Sequence, residues 1–157
     1  MPIPRHICEF LDAHRIPYQP CQHTPSYTAQ GVAHAQHISG KELAKVVMVV
    51  GDDRLLMVVL PASHRLELEP LGQAVGVESI RLATEEEFGH MFPDCEIGAM
   101  PPFGNLYNLE VWVDSALRSH PTIVFNAGTH AETIQMNFAD FARLVQPKEA
   151  TFSCLRH

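Results

Sequence analysis

Leu43-Ala44-Lys45-Val46-Val47-Met48-Val49-Val50 is a run of apolar, mostly β-branched residues broken by one lysine near its start. Such a run reads as a strand buried on both faces. A second apolar run, Leu55 to Leu60, follows the turn Gly51-Asp52-Asp53-Arg54, so the pair reads as a central hairpin ending at Pro61-Ala62. A primary amine at the start of so apolar a strand either snorkels to water or points into a cleft. Two later stretches bear on that choice, Gly98 to Gly104 and Ala127 to His130.

Upstream of the hairpin, Ile7, Phe10, Leu11 and His14 fall at helical spacing within residues 4–15, with Pro4 suited to a first turn. Ile16-Pro17-Tyr18 ends that helix, and Tyr18 to His23 suits a short strand. Thr24-Pro25-Ser26 is a turn, after which Ser26 or Thr28 is placed to cap a helix through about His37. Downstream, residues 66–75 suit a helix entered near Pro70, and Glu78 to Leu82 a short strand. Thr84 and Glu87 form the two ends of a capping box, predicting about two turns of helix that stop near Gly89 to Pro93. Asn108 to Asp114, Thr122 to Asn126 and His130 to Met136 read as strands, with a turn at Ala127-Gly128-Thr129. Asn137 is placed to cap a last helix facing Phe138, Phe141 and Val145 inward. Beyond Pro147 there is no periodicity, and the tail reads as loose. The whole predicts an α/β fold, one domain over residues 1–157, with a curved mixed sheet of about six or seven strands flanked by helices.

Composition narrows the function classes. With 157 residues, 46% hydrophobic and 18% charged, the chain can bury a core without disulfides or metal. No apolar run approaches the roughly 18–20 residues of a membrane span, and the first residues lack a secretory pattern, so the expected compartment is the cytoplasm. The four cysteines are scattered without a C-x-x-C and read as reduced and structural. His34 and His37 share a helical face, yet no H-E-x-x-H or His/Cys quartet accompanies them, so neither a metal nor a cofactor is expected. A formal charge of −7 argues against a protein that grips long nucleic acid, DNA included, by its phosphates. It leaves room for a local pocket that takes a terminal piece of RNA.

Lys45 offers a fixed positive charge. The stretch Gly98-Ala99-Met100-Pro101-Pro102-Phe103-Gly104 has a glycine at each end and two stiffening prolines, the composition of a loop that presents backbone N–H groups at close range. Ala127-Gly128-Thr129-His130 brings an imidazole to the start of a strand. Each feature also has a plain structural reading: a solvated strand end, ordinary turn glycines, a core histidine. Spacing alone yields a pocket with a lysine, a glycine loop and a histidine, and it names no reaction.

Taken in order, these stretches resemble the YbaK/ProX family of aminoacyl-tRNA deacylases, which also occur as the editing insertion of bacterial prolyl-tRNA synthetases. The resemblance runs through Thr24-Pro25-Ser26-Tyr27-Thr28, Leu43-Ala44-Lys45, Leu60-Pro61-Ala62, Ile97-Gly98-x-x-x-Pro102-Phe103-Gly104 and Ala127-Gly128-x-His130. It implies hydrolysis of the ester joining a mischarged amino acid to the 3′ end of a tRNA, of tRNA-Pro type, with prolyl-tRNA synthetase as a possible partner. It implies a catalytic role for Lys45 and a substrate-binding pocket drawn from Val46, Gly98, Met100, Pro102, Gly104, Gly128 and His130. The loop departs from relatives that read Gly-Gly-x-Ser-Pro, and Val46 stands where some carry a polar residue; these changes touch amino-acid specificity. A binding module that kept the fold but lost turnover is the alternative.

Overall fold

The two-residue turn of the central hairpin is made by Asp52 and Asp53, both at positive φ (46° and 69°). This is the geometry that matches the right-handed twist of the strands it joins. Asp52 adopts it at little cost because its carboxylate accepts hydrogen bonds from Ser79 N–H (2.9 Å) and Glu78 N–H (3.1 Å). The hairpin is thereby tied to the segment that follows it in the sheet.

The computed structural model describes residues 4–22 and 43–155. The Thr24-Pro25-Ser26 motif, the helix expected through His37 and the pair His34/His37 lie outside them. In chain order the elements are α1 (Arg5–Ala13), β1 (Tyr18–Gln22), β2 (Leu43–Gly51), β3 (Arg54–Pro61), β4 (His64–Leu66), α2 (Leu68–Val75), β5 (Ile80–Leu82) and α3 (Glu85–Phe88). They continue with β6 (Glu110–Asp114), β7 (Thr122–Asn126), β8 (Glu132–Asn137), α4 (Phe138–Val145), β9 (Lys148–Ala150) and β10 (Ser153–Leu155). Single 3-10 turns cover Gly89–Met91, Gly104–Tyr107 and Ser115–Ser119.

Eight strands form one sheet in the order β1-β8-β7-β2-β3-β6-β9, with β5 also on β2; β4 and β10 pair apart. The sheet is mixed as expected: β2 with β7, β3 with β6 and β6 with β9 run parallel, and the rest antiparallel. It exceeds the predicted six or seven strands because β9 has three residues, too few to show alternation, whereas β5 falls within the strand expected at Glu78 to Leu82. The tail is ordered for the same reason that it was illegible. Phe152 is buried, its N–H donates to Asp114 (2.9 Å), and its carbonyl accepts from Glu67 N–H (2.8 Å).

The sheet carries a core on each face. On one, Phe103 packs edge-on against Phe10, Phe125 and Phe141, with ring centroids 5.8, 5.4 and 6.0 Å apart. That core draws in α1, α4 and the loop before β6. On the other, Val49, Val58, Leu60, Leu71, Trp112 and Phe152 pack under α2. Thr84 and Glu87 form the predicted capping box, though α3 is a single turn continued by the 3-10 turn at Gly89. Asn137 sits at the N-cap of α4 but makes no capping bond with its side chain. Among the described residues no helix is long and apolar enough to cross a membrane.

Candidate functional site

The two edges of β2 are built differently. Toward β3 it is paired without a break from Ala44↔Pro61 to Gly51↔Arg54. Toward the other side it meets β7 only at Leu43↔Val124 and Ala44↔Phe125, and β5 only from Val49 onward. Ala83 N–H reaches Met48 carbonyl (2.9 Å). β2 and β7 run parallel and their pairing ends at this contact, which sets Lys45 beside the carboxyl end of β7, the usual side for a ligand in a sheet with parallel strands. Lys45 is the first residue of β2 past the contact, half-buried, and Val46 follows on the unpaired stretch of edge.

The chain leaving β7 supplies the next parts. Ala127 is buried, and Gly128 takes φ +95°, a conformation that favours glycine. A methyl group at Gly128 would lie 2.5 Å from Pro4 Cδ, so this glycine is also required by the close approach of the residue that starts α1. The turn then grips the loop before β6 through main-chain bonds. Glu96 N–H donates to Gly128 carbonyl (2.7 Å), and Gly128 N–H to Ala99 carbonyl (2.9 Å). His130, 6% exposed, donates from Nε2 to Ile97 carbonyl (2.9 Å), which assigns the proton to that nitrogen. Glu96 Oε2 lies 4.0 Å from the same nitrogen.

Within the loop, Ala99 N–H is already committed to Glu96 carbonyl (3.0 Å). Among the described residues Gly98 N–H meets the Met100 thioether alone, at 3.3 Å. Sulfur is a weak acceptor, so this amide can be exchanged for an oxyanion at small cost. Gly98 is exposed, has φ +86°, and lies against His130: a methyl there would be 3.5 Å from His130 Cε1. The glycine loop and the histidine turn therefore meet. Pro102 and Gly104 do not join them at the surface. Both are buried, and a methyl at Gly104 would strike Val111 Cγ2 at 2.7 Å, so packing accounts for this glycine. Met100 and Phe103 are also core residues. The departures at Ala99, Met100 and Pro101 thus lie on the buried side of the loop, leaving the Gly98 main chain at its surface.

The loop is braced from outside by a chain of polar groups that the sequence did not reveal. His6 Nδ1–H donates to Asp94 (2.8 Å), and Tyr107 hydroxyl lies 2.6 Å from His6 Nε2. Burial, and then the neighbouring Cys95, push Tyr107 above its ordinary value; burial, and then Asp94, push the Cys95 thiol up to about 12. Both groups stay protonated at neutral pH, so Cys95 is a packed thiol and no nucleophile.

Sequence reasoning also missed Asn126 and Thr133. Continuing the β2–β7 register by one step sets Lys45 level with Asn126, which pairs with Thr133 on β8, which pairs with Cys21 on β1. These side chains share one face, and Asn126 and Thr133 are 8% and 1% exposed. The available signal was a polar residue ending the otherwise apolar strand Thr122-Ile123-Val124-Phe125-Asn126, directly before Ala127. Among the described residues no group of three or more His, Cys, Asp or Glu side chains is placed to hold a metal ion.

Comparison with known proteins follows the same lines. The aminoacyl-tRNA editing domain family matches residues 23–144. The multifunctional Ser/Thr-tRNA deacylase ProXp-y of Escherichia coli (strain K12) is 28% identical over 103 residues, covering 65% of this chain and 61% of that protein. The chain thus spans about three-fifths of the length of that curated relative. Among solved structures, one described as a candidate trans-editing enzyme for prolyl tRNA synthetase superposes with TM-score 0.84 at 21% identity, covering 98% of both chains. The hypothetical protein APE2540 superposes with the same TM-score at 20% identity, over 94% of this chain and 99% of its own. At these identities the structural likenesses establish the fold.

Proposed function

The chain belongs to the aminoacyl-tRNA editing domain family, and we propose that it hydrolyses the ester between a mischarged amino acid and the 3′-terminal ribose of a tRNA. The observation that supports this reading is the exposed Gly98 amide, held by the histidine turn and bonded, among the described residues, to a thioether; Lys45 sits on β2 just past its contact with β7, the strand that leads into that turn. Hydrolysis needs an acceptor site for the oxyanion that develops when water adds to the ester carbonyl. Gly98 N–H and the Lys45 ammonium supply the dipole and the charge, and one such donor is worth about 3–4 kcal/mol in the transition state. The tetrahedral intermediate then expels the ribose oxygen, which takes up a proton, and releases the free amino acid.

In this reading His130 acts chiefly by fixing the loop through Ile97, and Val46 offers main-chain groups on the stretch of β2 that no described strand pairs on that side. Gly128, Pro102, Gly104 and Met100 support the pocket from behind. No cofactor is required. The acidic chain touches the acceptor end of the tRNA rather than its length. A tRNA-Pro type substrate, with a synthetase holding the tRNA, is the finer proposal, and the prolyl-linked structural neighbour agrees with it. The ProXp-y relative points to serine or threonine as the amino acid removed.

The deciding experiment is deacylation of tRNA-Pro charged with alanine, cysteine, serine or threonine, with Lys45→Ala alongside. Release that depends on Lys45 is expected for one or more of these. Wild-type turnover by Lys45→Ala would sink the site, and no release even with synthetase added would favour the binding module.

A further inference from the structure

Asn126 closes β7 with a carboxamide whose Oδ1 is sealed from solvent and has no hydrogen-bond partner among the described residues. A buried acceptor without a partner is costly, and native chains seldom keep one without a use for it. Ser63 Oγ and Asn105 Oδ1 share this condition, but they sit in the β3–β4 turn and in the 3-10 turn after Gly104, away from the end of β7. Asn126 is level with Lys45 when the β2–β7 register is continued, and it is paired with buried Thr133 directly before the histidine turn.

The end of an aminoacyl-tRNA offers three kinds of donor at this depth: the α-ammonium, the ribose 2′-hydroxyl and the side-chain hydroxyl of serine or threonine. Lys45 is level with Asn126 when the β2–β7 register is continued, so a second cation at Asn126 would be repelled by it. A neutral hydroxyl would not. The amino-acid side chain is also the part of the substrate that must enter deepest when size is being judged. We propose that Asn126 is the specificity residue of this site, its carboxamide oxygen accepting a hydrogen bond from the side-chain hydroxyl of a seryl or threonyl group. This rests on the deacylase reading and names the substrate class and the residue that selects it. A pocket built to bond a hydroxyl rejects the analogue lacking it, because the acceptor is then left unpaired.

The test compares wild type, Asn126→Ala and Asn126→Asp, each first shown by thermal melting to fold cooperatively. Two readouts are taken: kcat/KM on Ser-tRNA and Ala-tRNA, and affinity for non-hydrolysable amide-linked seryl- and alanyl-adenosine. Wild type should favour the seryl member of each pair by about tenfold or more, Asn126→Ala should lose that ratio, and Asn126→Asp, which keeps an acceptor, should retain it. The thermal midpoint of Asn126→Ala should not fall with the ratio, since an unpaired buried oxygen has been removed. An unchanged ratio in Asn126→Ala would overturn the proposal. So would an equal loss on both members, which would mark Asn126 as reading the ribose or as purely structural. Selective binding without hydrolysis by the wild type would refute the deacylase reading while leaving the assignment of Asn126 standing.

Discussion

The inner edge of β2, zipped to β3 along its whole length, contrasts with its outer edge, which among the described residues is shared between β7 at its start and β5 at its end, with a gap between them. The first edge is where the chain spends its regular hydrogen bonding and its apolar residues. The second is where Lys45 and Val46 follow the short contact with β7, next to the strand that leads into the histidine turn. The same strand thus serves as scaffold on one side and as site on the other. Substitutions should separate the two: those on the packed side remove the fold, and those along the gap remove chemistry from an intact fold.

The largest effect is expected at Phe103, whose ring joins three others at the centre of the scaffold core. Phe103→Ala should cost about 3–5 kcal/mol, read as a lowered midpoint in urea unfolding. A loss below 1 kcal/mol would mean the core tolerates its own centre poorly packed, and the contrast would fail. Lys45→Ala comes next and on the other scale, with kcat/KM for deacylation down by about 10²–10³ and unfolding still cooperative. Gly98→Ala sharpens the comparison because it should do a little of both. Its φ of +86° costs an L side chain about 1–2 kcal/mol, and the shifted amide should lower turnover by more than that strain predicts. His130→Ala should reduce the rate less than Lys45→Ala does, while leaving Ile97 carbonyl without its imidazole donor. The smallest effect lies far from the gap, at Glu87, whose carboxyl is held down from 4.5 to about 2 by Arg81 and then by Thr84 N–H. A lowered folded pKa means that stability is present above the unfolded value and is lost as the pH falls from about 4.5 towards 2. Proton titration by NMR should find Glu87 ionised at pH 3, and Arg81→Ala should raise its pKa.

What could be read in advance follows from how local each cause is. The hairpin was legible because Leu55 to Leu60 and the Asp52-Asp53 turn declare themselves within a few residues, and the Thr84/Glu87 box for the same reason. The strands β9 and β10 were not, since three residues carry no period. In the site, Lys45, Gly98 and His130 were each visible, but the meeting of the glycine loop with the histidine turn was not, because it depends on main-chain bonds such as Glu96 to Gly128 that no spacing encodes. Only the family resemblance anticipated it. Asn126 escaped because a polar residue at a strand end is ordinary until the register places it beside Lys45. The placement of Gly104 and Pro102 in the core also had no sequence signature, as turn glycines and packing glycines look alike on paper.

The contact of Pro4 with Gly128 has a consequence in time. Together with the bonded pair His6 and Tyr107, 101 residues apart, it makes the histidine turn and the glycine loop depend on a helix made some hundred residues before them. Closing so long a loop comes late on a folding pathway, after the neighbouring strands of the hairpin have zipped. A growing chain would therefore hold the scaffold well before it holds a working pocket. Competence would arrive late, when the loop and the turn close onto α1.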